Sequence, residues 1–214
     1  MDFGDAALDK LGPRELVAAL GEVKADDPAL GELDIDAVAR RIDPRKLSKG
    51  EFVGLLATLG RLADAGADVD LSKMDAGNFA RIVSKASGDQ IEAVAKEPSV
   101  RRRVFDELFR RMAEHFVPER ARPGRYVMHF RLTGGDGVGG YDHYVATIED
   151  QTCTVSQDVP DDAKTTITVG PADLLKLATG NASPTFLFLR GKVKIAGSLG
   201  FAQAFMGLFE LPKA

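Results

Sequence analysis

Cysteine is almost missing from this 214-residue chain. The lone Cys153 excludes an internal disulfide and fits a reducing compartment. An excess of positive charge is missing too. The formal net charge of -4 excludes generic nucleic-acid binding by phosphate neutralisation, so no nucleic-acid partner is expected. Met1 is followed by Asp2, Asp5 and Asp9 instead of a basic start and an apolar run, so no secretory signal is expected. The longest apolar-rich stretch, Ile195 to Leu211, is interrupted by glycines, Ser198 and Gln203 and falls short of a comfortable membrane span. The final Leu211-Pro212-Lys213-Ala214 is not a peroxisomal Ser-Lys-Leu type address. A cytoplasmic protein is expected. With 44% hydrophobic and 28% charged residues, the chain has the composition of a globular protein and not of a disordered chain or rod.

The two halves differ in charge and pattern. Residues 1–100 carry 13 basic and 19 acidic side chains, net -6, whereas residues 101–214 carry 15 and 13, net +2. The first half has helical spacing of its apolar residues, and strand-like alternation begins only after Gly124. A small all-α domain over 1–98 followed by a second domain over 99–214 is the expected organisation. Within the first half a faint threefold repeat is marked by helix starts at Gly12-Pro13-Arg14-Glu15, Ser48-Lys49-Gly50-Glu51 and Ser87-Gly88-Asp89-Gln90. The latter two read as capping boxes. A short helix is expected before each, over 1–11, 33–47 and 74–86. A longer helix, N-capped by Ser99, is expected to run to His115 or Phe116.

In the second half, alternation predicts strands over 125–132, 143–148, 152–156 and 164–169, the first three as an antiparallel meander, and a fifth over 192–196. Pro171 starts a helix that stops at Gly180. Phe186-Leu187-Phe188-Leu189 reads as an apolar turn. The closing helix, Ser198 to about Leu211, has no charge before Glu210 and is apolar almost all round, so it is either buried on two sides or lines something apolar.

Several constellations fail on context. Gly135-Asp136-Gly137-Val138-Gly139-Gly140 has dinucleotide-binding spacing but joins two alternating runs, where a phosphate cradle needs a following helix. His129 and His143 face each other across that hairpin without a third ligand, so no metal is expected. Cys153 lacks a C-x-x-C partner, and Asp158, Asp161 and Asp162 read as a solvated turn. Neither a G-x-S-x-G elbow nor a zincin motif is present. No catalytic residue and no cofactor are expected. Residues 101–125 hold eight arginines against four acids; this segment either joins the two halves or makes transient contact with an anionic membrane.

Gly180-Asn181-Ala182-Ser183-Pro184, Leu187-Phe188-Leu189-Arg190, Gly191-Lys192-Val193-Lys194-Ile195 and Gly197-Ser198-Leu199-Gly200-Phe201-Ala202 follow one another in the order of a known signature. In this series the C-terminal half resembles the sterol carrier protein family, the non-specific lipid-transfer domain. The resemblance does not reach the acidic helical half. It implies an α+β fold: a five-stranded, mostly antiparallel sheet covered by helices around an apolar tunnel for fatty acids, acyl-CoA or sterols. Lipid-binding residues implied on the turn and fifth strand are Phe186, Phe188, Leu189, Arg190, Val193 and Ile195. On the closing helix they are Leu199, Phe201, Ala202, Phe205, Met206 and Phe209. The implied role is non-catalytic carrying of lipid between membranes or to an enzyme. Arg190 stands where the family commonly has glutamine, and Phe186 and Leu187 where smaller or polar residues are usual. These departures leave open a filled tunnel in a scaffold or accessory subunit, with a protein partner held by the N-terminal helices.

Overall fold

Helix starts in the first half are set by reciprocal side-chain caps. The Ser48 amide donates to Glu51 Oε2 at 2.6 Å and the Glu51 amide to Ser48 Oγ at 3.2 Å. Ser87 and Gln90 repeat the arrangement at 2.8 and 3.2 Å. At the first start Gly12 has no side chain to offer, but its amide still donates to Glu15 Oε2 at 2.8 Å. These caps satisfy amides that the first helical turn leaves unpaired. A computed structural model describes residues 10–24, 26–67, 69–160, 162–163, 165–178 and 182–210. The helix expected over 1–11 therefore falls, for residues 1–9, outside the described residues, as do the Gly180 stop, Gly180 and Asn181 of the signature loop, Asp161, and Leu211 at the expected end of the closing helix.

Contacts divide the chain into two units that part between Glu107 and Leu108. The first contains α1 (Pro13–Glu22), α2 (Ile35–Arg41), α3 (Lys49–Asp64), α4 (Ala76–Lys85), α5 (Gly88–Lys96) and the start of α6 (Pro98–Glu114). Proline, not Ser99, opens α6, which suits a residue with no amide to satisfy. α3 packs against α1 and α5, and α2 against α4. Phe52, Leu55, Leu59 and Leu62 form the buried stripe of α3, spaced to fall on one helical face. Gln90 performs two tasks. Its Oε1 caps α5, while its buried Nε2 donates to the carbonyls of Pro44 and Leu47 at 2.8 and 2.9 Å, tying α5 to the turn before α3.

The second unit is built on a sheet of β1 (Tyr126–Thr133), β2 (Tyr141–Glu149), β3 (Thr152–Ser156), β4 (Thr165–Val169) and β5 (Val193–Ala196), in the order β3-β2-β1-β4-β5. β1, β2 and β3 form the antiparallel meander, β4 joins β1 in parallel, and β5 pairs antiparallel with β4. Asp150 and Gln151, with φ of 49° and 60°, make the tight turn from β2 to β3, a geometry matched to the twist of paired strands. The glycine-rich stretch joins β1 to β2, with Gly139 and Gly140 at φ of 73° and 77°. A strand, not a helix, follows it.

Three elements differ from the expected pattern. The helix expected over 33–47 is α2 over Ile35–Arg41 followed by a separate 3-10 turn at Pro44–Lys46. The apolar stretch after Pro184 is a short helix, α8 (Pro184–Leu189), following α7 (Pro171–Ala178). Ser183 Oγ accepts from the Phe186 amide at 3.5 Å at its start. The closing helix, α9 (Leu199–Met206), is capped by Ser198, whose Oγ accepts from the Phe201 amide at 3.1 Å, and it ends before Gly207. Beyond it a turn at Gly207 and Leu208 leads into a bridge between Phe209 and Phe116, just past the end of α6. The Val117 amide donates to the Leu208 carbonyl and the Glu210 amide to the His115 carbonyl, each at 2.8 Å.

Candidate functional site

Alternation sorts the sheet into two chemically distinct faces. Tyr126, Met128, Phe130 and Leu132 of β1 share one face with their partners Ile148, Ala146 and Tyr144 of β2 and Ile167 and Val169 of β4, while Val193 and Ile195 continue it on β5. His129 and Arg131 lie on the other face with His143, Thr166, Thr168 and Lys194.

Aromatic contacts show what covers the apolar face. Phe109 of α6 stacks on Tyr144 at 4.1 Å between ring centroids and meets Phe130 edge-on at 5.1 Å. Phe201 of α9 stacks on Tyr126 at 6.1 Å, and α9 contacts β1, β4 and β5. The end of α6 and the whole of α9 thus lie over the same surface. Met128, Phe130 and Ile167 belong to this surface although the family resemblance did not point to them as lipid-binding residues. The period-two pattern of β1 and β4 was the signal that could have done so.

The twelve residues singled out on sequence separate by exposure. Val193, Ala202, Phe205 and Phe209 are buried, and Ile195, Phe201 and Met206 are partly covered. Phe205, 1% exposed, sits between Phe201 and Phe209 at ring distances of 6.0 and 5.3 Å. Phe186, Phe188, Leu189, Arg190 and Leu199 are exposed. The apolar composition of α9 does not mean burial on two sides. Ala202 and Phe205 face inward, whereas Leu199, Gly200, Gln203 and Ala204 are open; of these only Leu199, 42% exposed, presents a large apolar side chain to water.

On the opposite face a directional chain of hydrogen bonds crosses three strands. His143 Nε2 lies 2.9 Å from the Val138 carbonyl, His143 Nδ1 2.9 Å from His129 Nε2, and His129 Nδ1 3.3 Å from Thr166 Oγ1. A carbonyl can only accept, so His143 carries its proton on Nε2 and accepts on Nδ1. His129 must then donate from Nε2 and accept from the Thr166 hydroxyl. Burial, reinforced by the Arg131 charge and by the neighbouring His143, pushes His129 down to about 4. The imidazoles are diagonal neighbours on this face, since the register sets His143 opposite Arg131 and His129 opposite Val145, and among the described residues no group of three metal-ligating side chains gathers around them. Burial also pushes the Cys153 thiol up to about 11, which favours the thiol over the nucleophilic thiolate.

Much of the charge of the arginine-rich segment is engaged within the units. Arg101 and Arg111 are buried. Arg103 pairs with Asp64, Arg110 with Glu114, and Arg125 with Glu149 and Asp162. No helix among the described residues is long and apolar enough to cross a membrane.

Sterol carrier protein 2 of Rattus norvegicus is 38% identical over 74 residues, which are 34% of this chain and 14% of that protein. The chain thus spans about one seventh of that relative's length. The crystal structure of sterol carrier protein 2 like 2 from Aedes aegypti matches 50% of this chain and 98% of its own, at 17% identity and a TM-score of 0.41. The inverting sec-alkylsulfatase Pisa1 from Pseudomonas sp. matches 96% of this chain and 33% of its own, at 17% identity and a TM-score of 0.41. Residues 105–210 match the SCP-2 sterol transfer family, and the C-terminal half of this chain belongs to that family.

Proposed function

We propose that the second unit binds the acyl chain of a fatty acid or acyl-CoA, or a sterol-like molecule, against the apolar sheet face beneath α9, and carries it without chemistry of its own. The observation that carries this reading is α9 itself. It has no charged residue, it presses Ala202 and Phe205 inward, and it leaves Phe201 and Met206 only partly covered beside the half-covered Ile195 of the same sheet face. Family membership of the C-terminal half supports it. The absence of chemistry is supported by the placement of His129 and His143 on the opposite face, with their ring nitrogens engaged by one another, Thr166 and Val138.

Burying an acyl chain stabilises the complex by about 0.8 kcal/mol per CH₂, and a bilayer offers about the same. Affinity alone therefore cannot extract lipid from a membrane, and the role of the protein is kinetic. It offers a dry surface that lowers the barrier to departure. The alternative, a scaffold whose interior is filled by Phe186, Phe188 and Phe205, would rest on Phe205, since the other two rings are 48% and 39% exposed.

The test is native mass spectrometry of protein purified from cells, together with titration of a fluorescent fatty acid. A co-purifying lipid and saturable uptake are expected. Met206→Trp, which enlarges a half-covered side chain at the edge of this surface, is expected to weaken uptake about tenfold, or ~1.4 kcal/mol, with little change in melting temperature. A clean apo mass and no uptake by the wild-type chain would refute the carrier reading.

A further inference from the structure

Helix α8 and the turn after it present an unusual surface. Phe186, Phe188 and Leu189 are 48%, 39% and 78% exposed, while Leu187 between them is 5% exposed and anchors the helix. Large apolar side chains grouped in this way on a protein surface mark an interaction site. Cations accompany them. The Arg190 guanidinium lies 4.1 Å from the centre of the Phe186 ring, and Lys192 and Lys194 follow, all three exposed. From Ala182 to Phe209 these are the only charged residues, so the segment is +3 with no acid in a chain of net charge -4. The backbone holds the group in place. The Arg190 amide donates to the Phe186 carbonyl at 3.1 Å, the Gly191 amide to the Phe188 carbonyl at 2.9 Å, and the Lys192 amide to the Leu187 carbonyl at 2.9 Å. Gly191 supplies the positive φ of 68° that this turn requires.

We propose that α8 and the Arg190–Lys194 turn form the surface by which this protein docks on an anionic lipid bilayer, with Phe186, Phe188 and Leu189 entering the headgroup boundary and Arg190 and Lys192 meeting lipid phosphates. Aromatic and aliphatic side chains gain by leaving water at that depth, and long cationic side chains reach back to the headgroups from among them. Charge selects the occupant: the exposed cations Arg190, Lys192 and Lys194 complement an anionic membrane and would repel a like copy of themselves. The arginines of 101–125 are less suited, because Arg103, Arg110 and Arg125 are already paired with acids. Contact through so few cations is short-lived and salt-sensitive, since the Debye length at physiological salt is about 8 Å. Docking here does not depend on an occupied interior, so vesicle binding and fatty-acid uptake are read independently.

The experiment is co-sedimentation of the full chain with vesicles of phosphatidylcholine, with and without phosphatidylglycerol. Binding is expected only to the anionic vesicles and is expected to fall as salt rises. Two double variants, Phe188→Gln with Leu189→Gln and Arg190→Gln with Lys192→Gln, are each expected to lower binding at least tenfold at unchanged melting temperature, because all four side chains are exposed. Arg102→Gln with Arg122→Gln, exposed positions in the other arginine-rich segment, is expected to bind like wild type. Sedimentation velocity of the same proteins identifies the competing occupant. Wild-type protein that ignores anionic vesicles, double variants that bind them undiminished, or a dimer abolished by Phe188→Gln with Leu189→Gln while vesicles stay bare would each overturn the proposal.

Discussion

Phe205→Asp is expected to unfold the second unit outright. Phe205 is 1% exposed and lies in the aromatic row Phe201–Phe205–Phe209 that α9 and the following residues set against the sheet. Truncating such a ring to alanine costs about 3–5 kcal/mol, and an unpaired buried carboxylate adds several kcal/mol more unless it protonates. A domain is stable by only about 5–15 kcal/mol in total, so little or no folded population remains. Loss of near-ultraviolet circular dichroism and of the cooperative urea transition would report this. Phe205→Leu is expected to fold with a loss of about 1–3 kcal/mol and is the variant in which lipid uptake can still be measured. A Phe205→Asp protein with a wild-type urea midpoint would show that this ring is not part of the core.

Acidification is expected to weaken the second unit through His129. The ordinary imidazole value near 6.5 applies when the chain is unfolded, and about 4 when it is folded. Between those values the unfolded chain binds the extra proton and the native chain does not. Stability is therefore fully present above about pH 6.5, falls as the pH is lowered towards 4, and then levels off as far as this residue is concerned. At about 1.4 kcal/mol per unit, the full effect is on the order of 3 kcal/mol. The physical cause is burial first, at 3% exposure, then the Arg131 charge on the same strand and His143 across the hairpin. The hydrogen-bond chain adds its own constraint, since a second proton on His129 would sit on Nδ1 against the Thr166 hydroxyl that now donates to it. Urea unfolding followed from pH 7 to pH 4 measures the slope. His129→Gln is expected to flatten it, and an equal slope in wild type and variant would remove His129 as the source.

Much of this molecule is governed by local chemistry and was therefore legible in one dimension. Ser48 with Glu51, and Ser87 with Gln90, are partners three residues apart whose geometry needs nothing distant. The meander of β1 to β3 follows from alternating residues joined by short connections, and alternation alone places the two histidines on one face of it as diagonal neighbours. The family signature, local to the C-terminal stretch, carried the fold class with it.

Other features were settled only where distant segments meet. The parallel pairing of β4 with β1 depends on how the chain returns after β3, and no local pattern encodes that path. Gln90 reads as a helix cap, yet its other end reaches the carbonyls of Pro44 and Leu47. The apolar stretch at 186–189 is uniform in sequence, but tertiary packing buries Leu187 and leaves Phe186, Phe188 and Leu189 open. In α9 the same composition all round becomes an inward face and an outward one because a sheet covers only one side of a helix. Burial depends on what lies opposite a side chain, so sequence determined most of the elements and the reciprocal caps at Ser48 and Ser87, and tertiary structure decided which apolar residues are core and which are surface.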